Sequence, residues 1–194
     1  MGVAGVLLGL MAGWIIGSQQ AAPLRDTAVA TPPAQSASST SGSGQPPATL
    51  DESRAAALRS TAEANPRDAA TRTTLGNLYF DAGRFEDAAR WYDESLKINP
   101  NDPNVSTDLG IAFYYMNQPD RALAQFDRSL AIDAGHSKTL LNIGIVRAFG
   151  KQDLKGAAAA WQRVLVAAPG TDEARAAQQA LEGVKAAHPD VDRK

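Results

Sequence analysis

An all-α chain of stacked antiparallel helix pairs is predicted by three features of the sequence. An apolar residue followed by Gly recurs at a 34-residue period, as Leu75-Gly76, Leu109-Gly110 and Ile143-Gly144. A small residue and an aromatic one four positions later recur downstream, at Ala88 and Tyr92, Ala122 and Phe126, and Ala157 and Trp161. Helix-ending prolines keep nearly the same step at Pro66, Pro100 and Pro169, with Ala134 in the remaining slot. Each feature has a steric reason. Gly without a Cβ lets a second helix cross closely, the Ala residues accept that approach, and the aromatics fill the wedge between successive hairpins. One hairpin leaves an apolar face uncovered, so hairpins must stack to be stable.

Read in order, the chain begins with residues 1–22, which carry no charge and are expected to form a single transmembrane helix. About 20 residues at about 1.5 Å each just cross a hydrocarbon core of about 30 Å, with Trp14 near one interface. The rival reading is a cleaved signal peptide. No Lys or Arg precedes the apolar run, and the best small-residue cleavage pattern, Ala28-Val29-Ala30, lies far beyond it. The retained anchor is therefore preferred. Gly5, Gly9, Gly13 and Gly17 fall on every fourth position. They form one groove suited to close approach of another membrane helix, or of a second copy in a homo-oligomer. Membrane-helix composition alone would also place glycines here. The expectation is a single-pass membrane protein with its repeats extracytoplasmic, although the charges flanking the run set no orientation.

Residues 23–49 are rich in Ala, Ser, Thr, Gly, Pro and Gln and are expected to be a flexible linker. As a coil, some 25 such residues span about 25–30 Å. The repeat domain is expected over residues 50–188. It divides into a lone second helix at 51–66, hairpins at 69–102, 103–136 and 137–170, a solvating cap helix at 171–187, and a tail at 189–194. Asp102-Pro103 is an N-cap followed by Pro at the first helical position. The third hairpin carries one extra residue, expected in the inter-helix turn around Gly150 to Gly156.

These residues resemble the tetratricopeptide-repeat (TPR) family over about 69–169, where its Leu-Gly, aromatic, Ala, aromatic, Pro pattern appears twice almost in full. There are departures. The family's early Trp is replaced by Arg72, Ser106 and Leu140, and the aromatic at Tyr79 and Phe113 becomes Arg147. Arg147 is expected to face solvent or pair with Asp172 or Glu173, with an anion contact as the functional alternative.

The resemblance implies a concave groove lined by the first helix of each pair. Its positions map onto Thr73, Asn77 and Phe80, then Thr107, Ile111 and Tyr114, then Lys138, Leu141 and Ile145. Spacings of three and four keep each trio on one helix face. Ile111, Tyr114, Leu141 and Ile145 would form an apolar floor for an amphipathic helix or extended peptide. The alternative makes some of them, Ile111 and Ile145 above all, hairpin core. A related family clamp grips C-terminal carboxylates at five positions. Asn77 and Lys138 match it, but Thr73, Asp108 and Asn142 do not, and Asp108 would repel a carboxylate.

The function expected is a non-enzymatic, membrane-tethered module that binds a peptide or helical segment of a partner protein. One alternative is an apocytochrome chaperone, because residues 157–174 look like the last repeat of the apocytochrome-binding TPR proteins of c-type cytochrome maturation. Another is a structural scaffold assembled through the glycine-faced helix. A formal net charge of −2 with scattered cations argues against nucleic-acid binding. With no Cys, thiolate metal sites and cysteine nucleophiles are excluded. His136 and His188 stand beside turns with no partner spacing for a metal, and no phosphate-cradling loop is present, so neither a catalytic residue nor a cofactor is expected.

Overall fold

The computed structural model describes residues 49–188. The expected anchor with Gly5, Gly9, Gly13 and Gly17, nearly all of the linker, and the tail lie outside the described residues. Among the described residues no helix is long and apolar enough to cross a membrane.

Among the described residues eight α-helices follow one another: α1 (Glu52–Ala64), α2 (Ala69–Asp81), α3 (Phe85–Ile98), α4 (Pro103–Tyr115), α5 (Pro119–Ile132), α6 (Ser137–Ile145), α7 (Leu154–Ala167) and α8 (Asp172–Ala187). No strand occurs among the described residues. Short polar side chains start most of the helices. The Asp51 carboxylate accepts from the Arg54 N–H, Asp68 from Thr71, Asp102 from Asn104 and Val105, Asp153 from Gly156, and the Thr171 hydroxyl from Ala174. Each satisfies an N–H that the first helical turn cannot pair internally. The second helices α3 and α5 have no such cap. They are held instead by packing.

The hairpins are α2–α3, α4–α5 and α6–α7, with α1 on α2 and α8 on α7. In all three, the crossing rests on a glycine under an aromatic ring. A Cβ at Gly76 would overlap the Tyr92 ring, one at Gly110 the Phe126 ring, and one at Gly144 the Trp161 indole. All three rings are buried. Tyr92 Oη donates to Asn77 Oδ1 at 2.8 Å, and Trp161 Nε1 donates to the Leu141 carbonyl at 3.2 Å. Burial keeps the Tyr92 phenol protonated far above its usual range, with Asp108 and Asp81 adding to the effect.

A hydroxyl staple repeats with the period. The Thr73 hydroxyl meets Ser95 Oγ at 2.8 Å while Ser95 donates to the Ala69 carbonyl. Thr107 meets Ser129 at 3.0 Å while Ser129 donates to the Pro103 carbonyl. In the third hairpin Leu141 and Val164 replace the pair, and both are buried.

The extra residue of the third hairpin sits upstream of where the turn chemistry suggested. It is taken up inside the first helix as a π-turn over Val146–Gly150. The helix-ending bond is Arg84 N–H to the Tyr79 carbonyl in the first hairpin and Gln118 to Phe113 in the second. In the third it becomes Asp153 to Arg147, one residue wider. The left-handed residue of the turn moves accordingly, from Gly83 and Asn117 to Gln152. A π-turn accommodates an insertion without orphaning a backbone group. Gly150 lets it close, since a Cβ there would come 3.0 Å from Pro119 Cβ and 3.3 Å from the Tyr114 ring.

Candidate peptide-binding site

The first helices α4 and α6 touch one another, and α6 touches α8, along one side of the array. The nine groove positions expected from sequence behave differently there. Asn77, Phe80, Tyr114 and Lys138 are half-buried, with part of each side chain open. Ile111, Leu141 and Ile145 are only 3, 2 and 6% exposed, so the core alternative holds for them and the expected apolar floor is not an open surface. Thr107 is fully buried, and Thr73 is half-buried. Both spend their hydroxyls on the staple, which makes them hairpin glue. Helical spacing assigns a residue to a face. It does not say how much of that face a neighbouring helix covers.

The polar centre of the side is a pair that the sequence alone did not suggest. Lys138 Nζ donates to Asp108 Oδ1 at 2.6 Å, with the two side chains 16 and 8% exposed. Position 108 is the one read as hostile to a carboxylate. Here it also holds the lysine that a carboxylate would need. The two residues lie 30 apart, one repeat less one helical turn, so the repeat register is the signal that could have exposed the contact.

At the hairpin-turn edge, Phe80, Phe85, Tyr114 and Tyr115 cluster. Phe85 and Tyr115 stack at 4.7 Å, Phe80 meets both rings edge-on, and Tyr114 adjoins Tyr115 at 6.0 Å. Phe85 and Tyr115 were missed in the sequence because they belong to different repeats. Burial raises both tyrosine phenols, Tyr115 with help from Tyr114.

Arg147 pairs with Asp153 at 2.7 Å, not with Asp172 or Glu173. Its equivalents Tyr79 and Phe113 carry Arg84 and Arg121 over their rings at 5.1 and 4.0 Å. The third hairpin therefore replaces a cation–ring contact with an ion pair, and a Cβ at Gly156 would collide with that pair. The Asp153 carboxyl is held below its usual range by the Gly156 N–H and then by Arg147.

His136 bridges the second and third hairpins. Its Nδ1 lies 2.6 Å from Thr139 Oγ1 and its Nε2 3.2 Å from Asn104 Oδ1. Burial holds it below the usual histidine range. Lys138 acts in the same direction, and Asp133, Asp108 and Asp102 oppose. The unfolded chain thus binds the proton more readily. The stability His136 contributes is present above about pH 6.5 and is lost as pH falls through its folded value. Chemical denaturation across pH 5–7.5 is expected to show this slope in the parent and a flatter one in His136→Gln.

An array of like helical hairpins, each bound chiefly to its neighbours, is an α-solenoid repeat protein, a class that works by offering side chains from successive hairpins along one side. The particular repeat is also defined. Residues 76–118 match the family model described as TPR repeat, and residues 107–173 match the one described as tetratricopeptide repeat. The chain carries tetratricopeptide repeats. Among curated proteins none matches it. Among solved structures, MamA superposes with a TM-score of 0.59 at 20% identity, covering 71% of this chain and 80% of that one. The first TPR domain of human RPAP3 does so at 0.58 and 23%, covering 67% and 99%. The first TPR of Spaghetti (RPAP3), solved with the HSP90 peptide SRMEEVD, does so at 0.55 and 24%, covering 61% and 91%. At these identities the likeness is one of fold.

Proposed function

We propose that this chain is a non-enzymatic interaction module, tethered to a membrane by its N-terminal apolar segment, that holds a peptide or helical segment of a partner along the first helices of its repeats. One observation carries the reading. Asn77, Phe80, Tyr114 and Lys138, drawn from three successive hairpins, keep part of their side chains open on the first helices. Peptides bound by the solved TPR neighbours of RPAP3 support the mode. The apolar run over residues 3–16 supports the tether.

The partner segment in this reading is not an acidic C-terminal tail. Lys138, the cation such a tail would need, is already engaged by Asp108. Fluorescence anisotropy with SRMEEVD is expected to show binding no tighter than about 1 mM. Asp108→Asn, which releases Lys138, is expected to tighten it. Micromolar binding by the parent chain would defeat the reading. For the natural partner, Tyr114→Ala is expected to abolish co-purification while leaving the circular dichroism spectrum intact. Ile111→Asp, although on the same helix face, would test folding instead, because Ile111 is core. Unchanged partners in Tyr114→Ala, with loss in a Gly9→Leu, Gly13→Leu variant, would favour assembly through the N-terminal segment.

A further inference from the structure

A second site lies between the second helices α3 and α5, away from the face just described. It is a hollow of about 260 Å³ over α4, walled by Leu96, Leu109 and Ile132 and floored by Ser106 and Gln125. The repeat explains why it exists. Positions 72, 106 and 140 are the same slot in three hairpins. In the third the slot holds Leu140, a larger apolar side chain that is buried. In the first, Arg72 spans it to reach the carbonyls of Ala62, Asn65 and Asp68. Ser106 is too short to do either, and the space stays open.

The lining has a definite chemistry. Ser106 and Gln125 are buried and bonded to one another, with Gln125 Nε2 donating to Ser106 Oγ at 2.8 Å. The floor is polar but already satisfied. It can add a bond to a ring N–H or O–H without requiring one. A dry cavity smaller than this admits benzene, so an indole or phenol has room. Ile132, at 37% one of two large apolar side chains exposed among the described residues, stands at the mouth. Of the rim cations, Lys97 is held by Asp93 and Glu94. Arg128 reaches only Gln125 Oε1, at 3.4 Å, and forms no ion pair among the described residues. A guanidinium so placed can fork onto a carboxylate or lie over a ring.

We propose that this hollow is a docking site for an aromatic residue of a partner protein that presents a carboxylate next to the ring. The ring replaces the side chain that Ser106 lacks, and Arg128 holds the acid. The site is independent of the first-helix face, so a partner can occupy both.

Two probes separate the ring from the charge: N-acetyl-tryptophan and N-acetyl-tryptophanamide, titrated into the ¹⁵N-labelled full-length chain at low salt. Saturable shifts are expected at the amides of Leu96, Ser106, Leu109 and Gln125, with the acid bound about tenfold tighter than the amide. Arg128→Gln is expected to bring the acid to the level of the amide and leave the amide unchanged. Ser106→Leu, a residue the slot accepts at position 140, is expected to abolish both while the circular dichroism spectrum stays that of the parent. Three outcomes overturn the proposal: no saturable shift at these amides, equal affinity for the two probes, or shifts at Asn77 and Tyr114 instead. The last would place aromatic capture on the first-helix face. Loss of SRMEEVD discrimination there would leave this site standing.

Discussion

Truncating Phe126 to alanine is expected to lower the unfolding free energy by about 3–5 kcal/mol. The ring is fully buried in the central hairpin and lies against the backbone of Gly110. Its loss opens a cavity that the two helices cannot close without shifting. In a solenoid each hairpin is stabilised by its neighbours, so weakening the middle one also weakens both interfaces. Against a typical net stability of about 5–15 kcal/mol, the loss brings the array close to unfolding at ambient temperature. Urea denaturation followed by circular dichroism measures it. A companion variant tests the cause. Gly110→Ala gains up to about 1 kcal/mol of helix propensity, yet it is expected to lose about 1–3 kcal/mol overall because its methyl meets the ring. In a Phe126→Leu background that cost should shrink, giving a favourable coupling in the double-mutant cycle. Were Gly110→Ala stabilising in the parent, the helices would not cross as closely as described.

Lys138→Met is expected to cost about 3 kcal/mol, because it deprives a largely buried carboxylate of the cation 2.6 Å away. That figure is the low end for a broken buried pair, chosen because part of Lys138 remains in contact with water. Replacing both partners, as Lys138→Met with Asp108→Leu, is expected to recover most of the loss, since two apolar side chains need no mutual partner. If Lys138→Met and the double variant were equally unstable, the pair would not be what holds α4 to α6 at this point. The same variants bear on recognition, because Asp108 is what withholds Lys138 from an acidic peptide.

Much of the array was legible in the residues themselves. The 34-residue step, the glycine under each aromatic ring, and the Asp102-Pro103 start are short-range steric facts, and they appear in the structure in those roles. The candidate site was legible in outline only. Asn77, Phe80, Tyr114 and Lys138 stand where the helical spacing puts them, each with part of its side chain open. Thr73 and Thr107 share that spacing but turn into the staple, and Ile111, Leu141 and Ile145 share it but are covered. A helical wheel gives direction, while exposure depends on how close the next helix lies. The Thr–Ser recurrence at 73 and 95, then 107 and 129, was present in the sequence. By itself it does not signal a cross-helix bond, because hydroxyls on a helix usually serve their own backbone.

By itself, then, the sequence determined the unit: which segments are helices, where each pair crosses, and that pairs must stack. Those outcomes follow from side-chain size and backbone hydrogen bonding within some thirty residues, and any chain with this pattern meets the same constraints. Only the tertiary structure decided how one unit sits on the next. It drew the extra residue into a π-turn at Val146–Gly150, brought Lys138 onto Asp108, gathered Phe85 and Tyr115 into one cluster, and left a hollow over Ser106. Each of these depends on the displacement between neighbouring hairpins. That displacement is a packing compromise among many side chains at once, so no single residue encodes it.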